Sequence, residues 1–217
     1  MPNLFIKTIA SLAIWACCGL SAQAGPVTWA VTVDTSSISG AAGSLDLNFN
    51  PGPLVTQSAT LQVTGFASDG SLTGSCACMG DVTGQLPGSV TFDNGTGLND
   101  YFQGFTFGTA LSFNLTFSGP ALTAPDGAFT SGSTFAFSLF SDSDGASPVL
   151  TSDTTDGFAF LIDVNTDGST TPTNFSSVTA LQQTPEPGSW LLATPLAAWL
   201  LRRGRRQSGA SACSSSR

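Results

Sequence analysis

Leu111-Ser112-Phe113-Asn114-Leu115-Thr116-Phe117 places a large apolar residue at every second position and a polar one between. A repeat of two turns one face of the chain dry and the other wet, which is the signature of a half-buried β-strand. The same alternation recurs on both sides of it. Val27, Trp29, Val31 and Val33 alternate with Thr28, Ala30 and Thr32; Leu45, Leu47 and Phe49 alternate with Asp46 and Asn48; Phe135, Phe137 and Leu139 repeat the pattern. Further strands are expected over 60–66, 89–92, 104–107, 157–164 and 176–181.

Turn chemistry separates these runs: Asn50-Pro51-Gly52-Pro53, Asp69-Gly70, Gly80-Asp81, Asp93-Asn94-Gly95, Pro125-Asp126-Gly127, Asp144-Gly145 and Asp167-Gly168. No stretch of the body has helical spacing. Many short strands with Gly/Asp turns predict an all-β fold, an antiparallel β-sandwich of jelly-roll or Ig-like type, with a closed barrel as the alternative. One domain is expected over 25–181, joined to the C-terminal segment by a linker at 182–184.

Charge narrows the function classes. The 217 residues are 41% hydrophobic but only 9% charged, against about 25% in an ordinary domain. The basic residues are Lys7, Arg202, Arg203, Arg205, Arg206 and Arg217, so the stretch 25–187 holds all 14 acidic residues and no basic one. Such a body repels nucleic acid and anionic lipid. It also has no internal ion pairs, so its fold rests on burial and backbone hydrogen bonds.

Catalysis is poorly provided for. The chain has no His, and the body lacks the His or Lys base of serine-hydrolase chemistry and the cations of phosphoryl transfer. Zinc sites built on His and Glu are equally short of ligands. Paired aspartates remain as the route to an Asp-dependent glycosidase, but most of the thirteen Asp residues sit beside turns, where Asp caps its own backbone. The body is therefore read as non-enzymatic.

Asp163-Val164-Asn165-Thr166-Asp167-Gly168 matches the opening of a calcium loop, with Asp163, Asn165 and Asp167 as ligand candidates. The twelfth position, where a bidentate Glu belongs, is Asn174, and Pro172 opposes the helix that should follow. A plain hairpin turn at Asp167-Gly168 competes with it. Ser141-Asp142-Ser143-Asp144-Gly145 is too short to decide. Cys76 and Cys78 stand at i and i+2, where two strand cysteines point the same way. They are read as a labile local disulfide, a contact to another chain, or two exported thiols oxidised together without function. The Asn-x-Ser/Thr triplets at Asn94, Asn114 and Asn174 are read as accidental.

Both termini carry addresses. Residues 1–24 place Lys7 before the apolar run 9–20 and end in Ser21-Ala22-Gln23-Ala24, with small residues at the positions a signal peptidase reads. This is a secretory signal helix, with cleavage expected after Ala24. At the other end stand Pro185-Glu186-Pro187, the uncharged run 190–201, and Arg202, Arg203, Arg205 and Arg206. A short hydrophobic helix is expected there. At 1.5 Å per residue it would reach about 18 Å, short of a hydrocarbon core of about 30 Å. That is a weak, transient stop, with its arginines held cytoplasmic by the positive-inside rule and the tripeptide just outside the bilayer. An unprocessed tail anchor is the competing reading.

The ordered triple from Pro185 to Arg206 resembles the PEP-CTERM sorting segment. The resemblance implies recognition by an exosortase, a membrane-embedded protease-transpeptidase, in Gram-negative hosts that make extracellular polysaccharide. The segment is assigned to 182–206. One departure is the continuation 207–217, read as a cytoplasmic tail, since family members usually end soon after the arginines. More loosely, residues 44–52 (SLDLNFNPG), 80–87 (GDVTGQLP) and 117–122 (FSGPAL) resemble elements of PEP-CTERM proteins whose bodies have no assigned activity. The expectation is an exported cell-surface or matrix protein with signal peptidase, the secretion machinery and an exosortase as partners, and extracellular polysaccharide as associate. A calcium-assisted carbohydrate-binding module is the alternative function.

Overall fold

The structure, a computed structural model, describes residues 25–184. Both expected terminal helices, the Ala22/Ala24 cleavage site and the whole motif from Pro185 to Arg206 lie outside the described residues.

Twelve strands run in chain order: β1 Val27–Asp34, β2 Ala42–Pro51, β3 Thr60–Ser68, β4 Ser71–Met79, β5 Val82–Gly84, β6 Val90–Asp93, β7 Asp100–Thr106, β8 Ala110–Ser118, β9 Ser133–Phe140, β10 Phe158–Val164, β11 Thr170–Asn174 and β12 Thr179–Thr184. Within the described residues the helices are one 3-10 turn, Ser36–Ile38, and one α-turn, Pro120–Thr123. The strands form two six-stranded sheets, ordered β12-β1-β8-β3-β6-β5 and β11-β10-β9-β2-β7-β4. Every paired neighbour is antiparallel. The fold is a β-sandwich of two open sheets rather than one closed barrel.

The period-two pattern explains the packing. Leu111, Phe113, Leu115 and Phe117 of β8 are all buried, as are Leu45, Leu47 and Phe49 of β2 and Phe135, Phe137 and Leu139 of β9. These three strands sit inside their sheets and supply much of the wall between them. The sheets meet through aromatic rings. Phe117 touches Phe49 at 5.9 Å and Phe135 at 6.5 Å between ring centroids, Phe113 lies 5.2 Å from Phe137, and Phe66 lies 6.1 Å from Phe105. Burying a Phe contributes about 1.5–3 kcal/mol, and a well-oriented ring pair about 0.5–1.5 more.

The strands that alternation did not predict lie at the edges, where one face or both stay wet. β4 is the edge of the second sheet and is mostly exposed; its register against β7 shifts between Thr73 and Ala77. β5 is three residues long at the edge of the first sheet. β11 pairs only with β10 and contains Pro172, a residue tolerated where one side of the strand has no partner. β12 runs to Thr184, so residues 182–184, expected as linker, are sheet: Gln182, Gln183 and Thr184 pair with Ala30, Trp29 and Thr28.

Corners are tied by side chains. The Asp69 carboxylate between β3 and β4 accepts from Thr109 N at 2.8 Å, Thr109 Oγ1 at 2.7 Å and Ala110 N at 3.1 Å. Those donors, the Thr109 hydroxyl first, hold its pKa down to about 2. The Thr35 hydroxyl, fully buried, donates to Gly108 O at 2.8 Å.

Phe117→Ala is expected to cost about 3–5 kcal/mol, because it empties a site at the cross-sheet seam. Gln62→Ala, on the exposed side of β3, is expected to stay within about 0.5 kcal/mol. Urea unfolding of the two variants measures both.

Candidate functional site

The strand register gives the sandwich two ends. Thr28 of β1 pairs with Thr184 of β12 and Val27 pairs with Phe117 of β8. The start of β1, the end of β12 and the end of β8 therefore share one end. The second sheet is oriented by two contacts: Phe49, late in β2, meets Phe117, and Trp29 Nε1 donates to Thr170 Oγ1 of β11 at 3.2 Å. The β10–β11 hairpin thus lies at the end from which the chain enters and leaves the fold. The opposite end carries the segment 141–157 and the β11–β12 connection 175–178, the latter held to β1 by Asp34 N donating to Val178 O at 3.0 Å.

At that far end lies a concavity of about 500 Å³, lined by Leu150, Thr151, Ser152 and the run Asn174 to Val178. No charged side chain lines it. Leu150 has φ of +58°, the one positive value at a non-glycine among the described residues. A side-chain-bearing residue costs energy there and persists only when its surroundings fix it. They do so here. Val149 N donates to Leu139 O at 2.8 Å, Ser152 N and Oγ both donate to Phe175 O at 2.9 and 2.7 Å, and Thr151 Oγ1 donates to Phe158 O at 2.5 Å. The Asn174 side chain braces the other wall, donating to Thr179 O at 2.8 Å and accepting from Ser176 N at 2.9 Å. Asp153, next in sequence, turns away, its carboxylate accepting from Thr155, Asp156 and Phe158 N. These backbone donors, Thr155 first, lower its pKa.

The calcium candidates lie at the other end. Asp163 Oδ1 accepts from Thr134 Oγ1 at 2.6 Å; Asn165 Nδ2 donates to Ser169 Oγ and Thr171 Oγ1, each at 2.9 Å; Asp167 Oδ1 accepts from Ser169 N at 3.0 Å and Oγ at 2.6 Å. Asn174, in the twelfth position of that motif, stands at the opposite end of β11 in the groove wall. Among the described residues no group of three or more His, Cys, Asp or Glu side chains gathers around one point. In the Asp142 segment, Oδ1 accepts from Asp144 N at 2.9 Å and Ala146 N at 3.0 Å, a turn closed on itself.

Cys76 and Cys78 are joined in a disulfide, with Cα atoms 5.5 Å apart, in the irregular part of β4. Of the three Asn-x-Ser/Thr triplets, Asn94 is nearly fully buried. Its side chain accepts from Ala59 N at 2.9 Å and donates to Gln57 O at 2.9 Å and Ser133 Oγ at 2.8 Å. Asn99, completely buried, plays a similar part: it donates to Phe49 O at 2.9 Å and Thr96 O at 3.0 Å, and accepts from Asp81 N at 2.8 Å.

Sequence reasoning also missed a carboxyl pair. Asp46 of β2 and Asp100 of β7 lie on the outer face of the second sheet, in register with Phe102 and Asn48 respectively, and their side chains are in hydrogen-bonding contact. Asn48 Nδ2 donates to Asp46 Oδ2 at 2.8 Å, while the Oδ1 atoms of both aspartates are buried without a further partner. Burial, then the facing Asp100, pushes the Asp46 pKa up to about 8. The contact is closer than the roughly 5–10 Å that glycoside hydrolysis needs between its two carboxyls. Comparison of the chain with family models, with curated proteins and with solved structures gives no match.

The pair sets a pH dependence. Between 3.8 and about 8 the folded state holds a proton on Asp46 that the unfolded chain releases. This contribution to stability is complete below that window and is lost as pH rises through about 8. Asp69 and Asp142, with pKa values of about 2, act oppositely, losing stability as pH falls below the ordinary carboxyl range. Thermal unfolding is therefore expected to peak in mild acid, and Asp46→Asn to remove the decline that runs from there to about pH 8, with a gain of about 1–3 kcal/mol once that pH is passed. Asn99→Ala, which orphans Phe49 O, Thr96 O and Asp81 N, is expected to lose about 1–3 kcal/mol at every pH in the same scans.

Proposed function

We propose that this chain is an exported surface or matrix protein without enzymatic activity. Its signal is cleaved after Ala24, and its C-terminal segment is read by an exosortase at Pro185-Glu186-Pro187 after transient anchoring through residues 190–201 and the arginines at 202, 203, 205 and 206. The body associates with extracellular polysaccharide. The reading includes the jelly-roll or Ig-like type of sandwich and the two terminal helices expected from the sequence. It draws on the PEP-CTERM resemblance for the sorting step.

The observation that carries it furthest is where the sandwich begins and ends. Its first strand starts at Val27, three residues after the expected cleavage point, and its last described strand reaches at least Thr184, beside the Pro-Glu-Pro tripeptide. The two terminal strands pair with each other. The described core draws on residues from Trp29 to Val164, with Val27 and Leu181 packed against it. The two flanking segments join the body at one end, which leaves the neutral groove facing away from the point of attachment. That placement favours polysaccharide association over a role for the body in the membrane. The thirteen aspartates, with no cation in 25–184, disfavour nucleic acid and anionic lipid as partners.

Intact-mass analysis of the protein from its host, with and without the host's exosortase, checks the sorting step. The expected product begins at Gly25 and ends near Pro187 only when the enzyme is present. A product retaining residues 202–217 in both strains contradicts it and makes the tail a plain membrane anchor.

A further inference from the structure

The geometry points to the groove formed by Leu150–Ser152 and Asn174–Val178 as a binding site for a chain of neutral hexopyranose units. The inference deepens the polysaccharide association proposed above and rests on it for the biological setting.

Several observations converge. The concavity of about 500 Å³ falls in the usual size range of small-ligand sites. Its lining is mixed in the way a sugar requires. Ser177 offers a free hydroxyl, the polar groups of Thr151, Ser152, Asn174 and Ser176 hold the walls through bonds of their own, and Leu150, Phe175 and Val178 supply apolar surface. A pyranose offers the same mixture, with hydroxyls around the ring edge and a C–H face against which an aromatic or aliphatic side chain packs. Phe175 is only half-buried, and Ser177 is exposed with no hydrogen-bond partner among the described residues, so both remain available to a ligand.

The charge pattern selects among polymers. A body of thirteen aspartates and no cation repels an acidic chain at long range. A cationic ligand would find its partners on the aspartates elsewhere, since none lines this groove. A neutral chain is what remains.

The walls are also braced in advance. Leu150 is held at φ +58° by hydrogen bonds on both sides, and local strain kept by a rigid surrounding is a recurring property of binding loops. A braced site loses less conformational freedom when it closes on a ligand. The groove also lies at the end opposite Thr28 and Thr184, where attachment through the C-terminus would leave it accessible.

Amide NMR of the protein as its host exports it, titrated with neutral gluco-, manno- and galacto-oligosaccharides and with an acidic oligogalacturonide, tests this. At least one neutral series is expected to give saturable shifts centred on 150–152 and 174–178, with the acidic series weaker. Ser177→Trp, which fills the groove from an exposed position, is expected to weaken binding by at least about tenfold while leaving the rest of the spectrum in place. Ser152→Ala, which removes the hydroxyl bonded to Phe175 O, is expected to weaken it severalfold. The inference is overturned if no neutral series shifts the groove, if the shifts centre elsewhere, or if Ser177→Trp binds as well as the parent. Shifts at these residues that track protein concentration without sugar would assign the groove to a second copy of the chain and equally overturn it. The result does not depend on how the C-terminus was processed, so a failed sorting step and a failed sugar site are separately visible.

Discussion

Everything in this body hangs on the aromatic seam between two sheets that carry no positive charge. With thirteen aspartates and no Lys, Arg or His in 25–184, no ion pair between side chains can form within the body, and its carboxylates can only repel one another or be held by hydrogen bonds. Cohesion therefore falls to burial. Phe117 is central because it touches rings of β2 and β9 together, and β8, which carries it, is bordered on both sides by β1 and β3. The aspartates are disposed of one by one. Those at corners and turns, such as Asp69, Asp142 and Asp153, are held as carboxylates by backbone and hydroxyl donors. Asp46 is instead kept protonated by burial against Asp100.

That constraint also shapes the surface available for recognition. A body that can offer no cation binds by shape, hydroxyls, amides and apolar faces. The groove at the far end has this composition. Its walls come from two segments, 150–152 and 174–178, that belong to no long strand and are locked to each other through Phe175 O. Thr28 and Thr184, near the two limits of the described body, lie at the other pole.

The legible and illegible parts of this fold divide along physical lines. Strands with one dry face announce themselves: β1, β2, β8 and β9 show in the sequence because Val31, Leu47, Phe113 and Phe137 must point inward while their neighbours meet a wetter face. Edge strands do not. β4 carries Gly74 at φ +68° and a cysteine pair instead of an alternating run, and β11 carries Pro172, which reads as a break until its free edge is known. Side chains that meet across the fold were equally hidden. Asp46 and Asp100 are far apart in the chain, and only the β2–β7 register brings them together. Asn94 reads as a turn residue and Asn99 carries no signal, yet the amides of both pin buried backbone. The turn signal at Asp167-Gly168 was readable because Asp167 caps its own turn through Ser169, whereas the ties of Asp69 to Thr109 and Ala110 and the groove both depend on distant segments meeting.

The claim on which the account most depends is that the body closes on itself, with β12 sealing against β1. Native-state hydrogen exchange on the exported protein tests it most directly. If the claim holds, hydrogen-bonded amides of β1 and β12 exchange only through global opening, with the same free energy as those of β8. Exchange of the β12 amides through a far cheaper local opening, with β8 still protected, would contradict it.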